Sequence, residues 1–237
     1  VSTVADNALG EAATGELRRH GLDTAGVRKV AGRMGLYFLA PGAIHRPAEV
    51  LYDRAGSAFA LAPADAYDWP ALLQGADWLH RSGVTPALGA NTAATALAAA
   101  RAARQLGGKV SFDGNFRPKL WEVWQGDART ILSELMAEAD LLFADYRDMG
   151  VVLGGQYPQV EPLARIEAAA GEAFAAFPHL EWMACTSANR AMSTRMHWRG
   201  CWSAATAAPR WHRRKKSARS STASAAATPS PPAYCMV

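Results

Sequence analysis

The sequence predicts an α/β fold built on a mostly parallel sheet with helices on both faces. Three observations predict it. Short strand-like runs alternate with helix-length segments from Trp69 to Cys185, the order that lays strands side by side with helices packed over them. The chain has 237 residues, half of them hydrophobic, enough for one domain with its own core. Polar residues with oxygen side chains, Asp113, Asn115, Asp145 and Thr186, fall at the ends of predicted strands, where ligands of such sheets are held.

The elements follow in order. Val1–Val4 reads as a strand. Asn7 is a cap for a helix from Ala8, with apolar positions at Leu9, Ala12 and Leu17 and a stop at Gly21. Val27–Val30 leads into two further strand-like stretches, Gly35–Ala40 and Glu49–Arg54. Pro41, Gly42 and Pro47 punctuate the link, so the pair reads as a β-hairpin with a long loop. Trp69–Gln74 is a short helix and Trp78–His80 a short strand ending in Ser82-Gly83. Thr92–Leu106 is an alanine-rich helix, with Asn91 as its cap and Gly107-Gly108 as its end. Val110–Phe112 is a strand, Asp127–Ala139 an amphipathic helix, and Leu141–Ala144 a strand. Pro162–Phe177 is a helix and Trp182–Cys185 a strand. Beyond Thr186 neither period is present. The stretch with Arg213-Arg-Lys-Lys216 and the Ser, Ala and Pro run from Ser220 to Pro232 reads as disordered.

Charge divides at the same place. The formal net charge is +4, yet all 21 acidic residues precede Ser187. The body is mildly acidic and residues 187–237 are purely basic. Such asymmetry admits a nucleic-acid tail through Arg213–Lys216 and Trp211, but another explanation of the tail, given below, disfavours it. Cys185, Cys201 and Cys235 have no metal-ligand spacing and suggest a reducing, cytoplasmic setting. No run of about 18 apolar residues predicts a membrane span, and the first residues do not read as a signal peptide.

Several segments share their order and spacing with one family. They are Gly35-Leu-Tyr-Phe38, Arg46-Pro47, Val50-Leu-Tyr-Asp-Arg54 with Ser57-Ala58, and Ser82-Gly-Val-Thr-Pro-Ala87. The most specific is Ser111-Phe-Asp-Gly-Asn-Phe-Arg-Pro-Lys-Leu-Trp121. Together they resemble the PfkB (ribokinase-like) carbohydrate kinases, closest to those acting on 2-keto-3-deoxygluconate. The resemblance covers residues 1 to about 186 and implies a ribokinase-like sheet with a small β lid at about 35–60. It also implies ATP with magnesium as cofactors and a small sugar acid as substrate, and it leaves a homo-oligomer open. Another sugar kinase of the family, such as a fructokinase, is the nearest alternative, and a non-catalytic sugar-binding remnant the next.

By position, the resemblance puts Tyr37, Tyr52 and Arg54 on the sugar-facing side of the lid and Arg117 on the substrate carboxylate. A guanidinium fork matches a planar carboxylate with two donors. Without the family, Tyr37 and Tyr52 are equally paired hairpin aromatics, and Arg117 is a structural ion-pair partner. Asp113 and Asn115 shape the turn after a strand. The family's Asn-x-x-Glu motif near the metal and phosphates corresponds to Asp145-Tyr-Arg-Asp148. Both residues depart from the pattern and both keep oxygens suited to magnesium; a solvated helix start is the other reading. Thr186 falls on the nucleotide side.

Two parts of the family pattern are expected to be lacking. Val1 enters after the sugar-binding Gly-Gly…Asn segment, so the kinase domain of 1–186 is read as partial. The closing Asp-x-x-Gly-x-Gly-Asp, whose last Asp is the general base and whose amides form an anion hole, has no counterpart. A one-nucleotide shift of reading frame near Thr186 accounts for this. Ser220–Thr228 is compatible with a hidden Ile-Val-Asp-Arg-Ile-Gly-Gly-Gly-Asp, and Pro229–Val237 with Ala-Phe-Ala-Ala-Gly-Leu-Leu-His-Gly. The expectation is therefore a chain that lacks a catalytic residue, with 187–237 read out of frame.

Overall fold

The structure, a computed structural model, describes residues 1–43, 46–189, 197–204 and 210–213, the side chains of 186–189 and of the last two stretches excepted. Strand β1 (Ser2–Ala5) pairs in parallel with β2 (Val27–Val30), Ser2 opposite Val27. Helix α1 (Ala8–Arg19) connects them. Its start is fixed chemically: Asn7 Oδ1 accepts from the amides of Leu9 and Gly10, two of the donors a first turn leaves unpaired. Gly21 follows with a φ of 75°, a left-handed step that ends the helix.

The expected hairpin forms a two-stranded antiparallel sheet of its own. Strand β3 (Leu36–Ala40) pairs with β4 (Glu49–Asp53), with Tyr37 opposite Tyr52. Arg33 ties its base, donating to the carbonyl oxygens of Asp53 and Ala55 and pairing with the Asp53 carboxylate.

The main sheet runs β5 (Trp78–Ser82), β6 (Lys109–Asp113), β7 (Leu141–Phe143), β8 (Trp182–Asn189), β9 (His197–Ala204), β10 (Arg210–Arg213). The first four are parallel neighbours, and β9 and β10 add antiparallel. Register sorts the side chains into rows. Arg81, Phe112, Leu142 and Met183 share one face; His80, Ser111, Leu141 and Trp182 share the other, as do Ser82, Asp113 and Phe143.

Helices α2 (Ala58–Leu61), α3 (Trp69–Leu73), α4 (Ala90–Gln105), α5 (Pro118–Trp124), α6 (Ala128–Ala137), α7 (Tyr146–Leu153) and α8 (Pro162–Ala176), with short 3-10 turns at Ala64–Ala66 and Pro86–Leu88, complete the described elements. Phe112, Leu142 and Met183 join Leu132, Leu135 and Met136 of α6, Met149 of α7 and Ala169 of α8 in the main core. A second cluster gathers Tyr67, Trp69 and Leu73 against Ala99, Ala100 and Ala103 of α4. The run of alanines in α4 thus has a use: small side chains let the helix lie close to both clusters. Asp140 joins the layers, since its carboxylate accepts from the Val110 amide at 2.8 Å and from Arg104 of α4 at 3.1 Å.

Two expectations are corrected. Asn91 does not cap α4; the cap position is Gly89, and Asn91 lies inside the first turn with its amide donating to Leu61 O. A contact to α2 outcompetes the local cap. Regular structure also continues past Thr186. Strand β8 runs to Asn189, and β9 pairs along its whole length from Trp182–Ala204 to Asn189–His197. The edge of β8 away from β7 carries unpaired amides and carbonyls, and a hairpin with strand-favouring tryptophans at 198 and 202 satisfies them. The other residues of the expected disordered segment, 190–196, 205–209 and 214–237, lie outside the described residues.

Candidate active site

The carboxyl ends of β5, β6 and β7 turn into loops that hold one another. The Gly83 amide donates to Asp113 O at 2.7 Å and the Gly114 amide to Phe143 O at 2.9 Å. These bonds continue the sheet ladder one residue past each strand. Asn115 then adopts a φ of 39°, a left-handed step that asparagine tolerates. Its side-chain amide donates to Ser82 Oγ at 3.1 Å. Asn115 therefore shapes the loop, as expected of it, and also links β6 to β5.

Asp113 stands at the end of its strand. Burial pushes its carboxyl above the usual range, while His80, Arg117 and the Asn115 amide pull it back down. Arg117, at the cap position of α5, donates to Phe116 O at 3.2 Å. It makes no ion pair among the described residues, so its guanidinium keeps most of its donors.

Across the loop, Asp145 and Asp148 open α7 with a capping box. Asp145 Oδ1 accepts from the Arg147 amide at 2.7 Å, and Asp148 Oδ2 accepts from the Asp145 amide at 3.0 Å. The Asp145 carboxylate also pairs with the Arg147 guanidinium. Asp148 is pressed against the β6 loop: a Cβ on Gly114 would stand 2.8 Å from Asp148 Cγ and 2.9 Å from Oδ1. Burial raises the Asp148 carboxyl, and repulsion from Asp145 and Asp113 adds to it, against the bond from the Asp145 amide. Asp145 and Asp148 are thus both helix-start residues, and Asp148 is the one pressed on the loop that follows Asp113.

Among the described residues no group of three or more His, Cys, Asp or Glu side chains could enclose a metal. Magnesium is commonly held through one or two carboxylates, its own waters and nucleotide phosphates. Asp148, with one oxygen outside the capping box, fits that mode. The Thr186 side chain lies outside the described residues.

On the lid, Tyr37 and Tyr52 are cross-strand partners, as the hairpin reading has it. The Arg54 guanidinium lies 5.7 Å from the Tyr37 ring centre and 5.3 Å from that of Tyr52, a cation–π contact with both. Arg54 has no ion-pair partner among the described residues. Tyr52 packs against the main core, as do Val84 after β5 and Phe116 after β6. The lid strand that carries Tyr52 is thus seated on the domain that carries Asp113 and Arg117.

Sequence reasoning passed over three participants. His80 meets Ser111 Oγ through Nδ1 at 2.9 Å and stands edge-on to Phe143. Ser82 accepts from Asn115, and Gly114 makes room for Asp148. Alternation along Trp78, His80 and Ser82, matched to Ser111 and Asp113, carries that signal for the first two.

A model of the pfkB family carbohydrate kinases matches residues 1–177. The chain belongs to this family. It is 35% identical over 155 residues to a 2-dehydro-3-deoxygalactonokinase of Haloferax volcanii, covering 65% of this chain and 47% of that protein. It is 30% identical over 168 residues to a 2-dehydro-3-deoxygluconokinase of Thermoproteus tenax, covering 67% and 48%. The chain thus spans about half the length of these curated relatives. Among solved structures, a 2-dehydro-3-deoxygluconokinase of Thermotoga maritima superposes with a TM-score of 0.79 at 32% identity, over 89% of this chain and 63% of that one. The ribokinase-like α/β fold with a β lid is therefore the fold of this PfkB chain. No helix among the described residues is long and apolar enough to cross a membrane.

Proposed function

We propose that this PfkB chain derives from a kinase that moves the γ-phosphate of ATP onto a hydroxyl of 2-keto-3-deoxygluconate. The observation that carries the reading is the pair Arg54 and Arg117. Both guanidiniums lack an ion-pair partner among the described residues, one stacked on lid tyrosines and one beside Asp113. A sugar acid brings the carboxylate such groups take. The lid tyrosines offer rings to the sugar and hydroxyls to its oxygens. Relatives named for the gluconate and galactonate forms support the class, and the galactonate form is the near competitor for substrate.

When bound, ATP with magnesium supplies the phosphoryl group and the charge that neutralises it. Asp148 Oδ1, on the α7 start, is the chain's candidate for the metal's shell. Arg117 and Arg54 orient the acid, and Tyr52 on the lid excludes water from it. The proton of the attacking hydroxyl needs a base, and the family's Gly-x-Gly-Asp is absent from these 237 residues. Removing base and anion hole together costs several orders of magnitude in rate. We therefore take the chain as written to be inactive. Residues 187–237 are then an out-of-frame reading that hides Gly-Gly-Gly-Asp under Ala225–Thr228.

The test compares the gene as it stands with a copy carrying a single-base correction near the Thr186 codon. The corrected protein is expected to release ADP only with 2-keto-3-deoxygluconate and magnesium present. The protein as written should turn over at least about 1,000-fold more slowly. Turnover of the two within tenfold of each other would remove the proposal, as would a gene in which no single-base change restores the motif. Running the galactonate form alongside decides between the two substrates.

A further inference from the structure

The lid region holds two arginines that are used in opposite ways. Arg54 leans on the rings of Tyr37 and Tyr52 and has no ion-pair partner among the described residues. Arg33, which precedes β3, is spent on the lid itself. Its Nη1 donates to Ala55 O at 2.8 Å and its Nη2 to Asp53 O at 3.1 Å. One planar group therefore grips the carbonyls on either side of Arg54. Nη2 also pairs with the Asp53 carboxylate, which neutralises Arg33 and leaves the charge of Arg54 open.

The backbone of Arg33 joins the same grip. Its carbonyl accepts from the Ala58 amide at 2.9 Å, and the Ser57 amide donates to Arg54 O at 3.2 Å. Gly56 makes the left-handed step between them with a φ of 66°. Arg54 thus opens a tight turn that is tied to Arg33 before and after it. Contact with tyrosine rings is a weak tether for a guanidinium, so the place of the Arg54 head is set largely by its backbone. A guanidinium suits the clamping task and an ammonium does not, because its N–H groups lie in one plane as a fixed fork.

We propose that Arg33 is a positioning residue for the substrate carboxylate: by holding the carbonyls of Asp53 and Ala55 it fixes Arg54, and with it the point at which the acid is met. The inference rests on the proposed reading of Arg54 as a partner of the sugar acid.

The first measurement uses the chain as it stands. Trypsin can cut the Arg54–Ala55 bond only when the turn opens, and cutting of a transiently opened segment tracks its opening equilibrium. Arg33→Lys keeps a charge for Asp53 and loses the fork. It is expected to speed cutting at that bond about fivefold or more, the effect of one lost hydrogen bond, while cutting after Arg101 of α4 keeps its rate. The second measurement uses the frame-corrected protein. There Arg33→Lys should raise KM for 2-keto-3-deoxygluconate about tenfold, with kcat and KM for ATP held within about twofold, a split that general loosening of the fold would not produce. Equal cutting at Arg54–Ala55 in the two chains overturns the proposal. So does an unchanged KM for the sugar acid in a corrected protein that turns it over, and in that case the reading of function stands. No turnover by the corrected protein, with or without the substitution, removes that reading and this proposal with it. Should Arg33→Lys not fold, Asp53→Asn loosens the same guanidinium and is expected to raise the same KM about threefold; no rise there overturns the proposal.

Discussion

Replacing Gly114 with alanine tests the contact on which the candidate active site is built. The new Cβ would stand 2.8 Å from Asp148 Cγ, whereas carbon atoms in contact sit about 3.5–4.0 Å apart. Either Asp148 or the loop must therefore retreat by about 0.7 Å or more. Asp148 cannot swing away cheaply, because its Oδ2 holds the Asp145 amide at 3.0 Å. The loop is held by the Gly114 amide on Phe143 O. A cap is worth about 1 kcal/mol and overpacking a tight site costs about 1–3 kcal/mol, so the expected loss is about 2–3 kcal/mol. With a urea slope of about 2 kcal/mol/M, the midpoint falls by roughly 1 M. The decisive assay is a double-mutant cycle by urea unfolding. In an Asp148→Ala background the same Gly114→Ala change should cost at least about 1 kcal/mol less, because Cγ and Oδ1 are gone and only the Cβ of residue 148, at 3.3 Å, remains to be met. An equal cost in both backgrounds refutes the reasoning. Gly15→Ala is the control: no atom lies within 4 Å of its Cβ, and in mid-helix α1 it should stabilise by about 0.5–1 kcal/mol.

Three further outcomes follow from the same geometry. Asp113 and Asp148 both have carboxyls raised on folding, so the folded state holds protons the unfolded chain has already released, and stability falls as pH rises through that interval. Asp148→Asn keeps an oxygen for the Asp145 amide and removes one of the charges; urea midpoints between pH 4 and 7 should then decline less steeply than in the unaltered chain. Asp140→Ala leaves the buried Val110 amide without its acceptor, while Arg104 keeps the Glu138 carboxylate and carbonyl oxygen, and should cost about 1–3 kcal/mol by urea unfolding. In the frame-corrected protein, Arg117→Ala should raise KM for the sugar acid by about 10- to 100-fold, the worth of a charge-assisted hydrogen bond at about 1.5–3 kcal/mol, with a smaller change in KM for ATP.

Local chemistry made much of the fold legible. Asn7, Gly21 and Gly107 mark helix ends by rules that operate within a few residues, and the apolar runs at Val110–Phe112 and Leu141–Ala144 coincide with strands. Where a distant contact outranks a near one, the reading failed. Asn91 has the side chain of a cap, but Leu61, 30 residues away, takes its donor. The strands beyond Thr186 depend on an open sheet edge that only the assembled sheet presents. The candidate site divides likewise. Asp113, Asn115, Asp145 and Asp148 lie at strand and helix ends that the pattern locates. The contact of Gly114 with Asp148 and the stacking of Arg54 on two rings require registers between strands, which periodicity alone does not supply. Arg81 was hidden for the opposite reason: an arginine in a strand usually faces water, and only the pairing with Phe112 reveals that this one faces the core.

The same register that turns Arg81 inward turns Trp78 and Trp182 outward, where they are 49% and 43% exposed, while Trp69 and Trp121 stay buried. The sheet therefore carries its own optical contrast. With the chain's other four tryptophans, at 124, 198, 202 and 211, replaced by phenylalanine, light emitted by the outward pair reports the polarity just above that face, and emission from the inward pair reports the integrity of the two cores. A molecule settling over the His80–Phe143 side would shift the first to the blue and leave the second unchanged; a global loosening would move both.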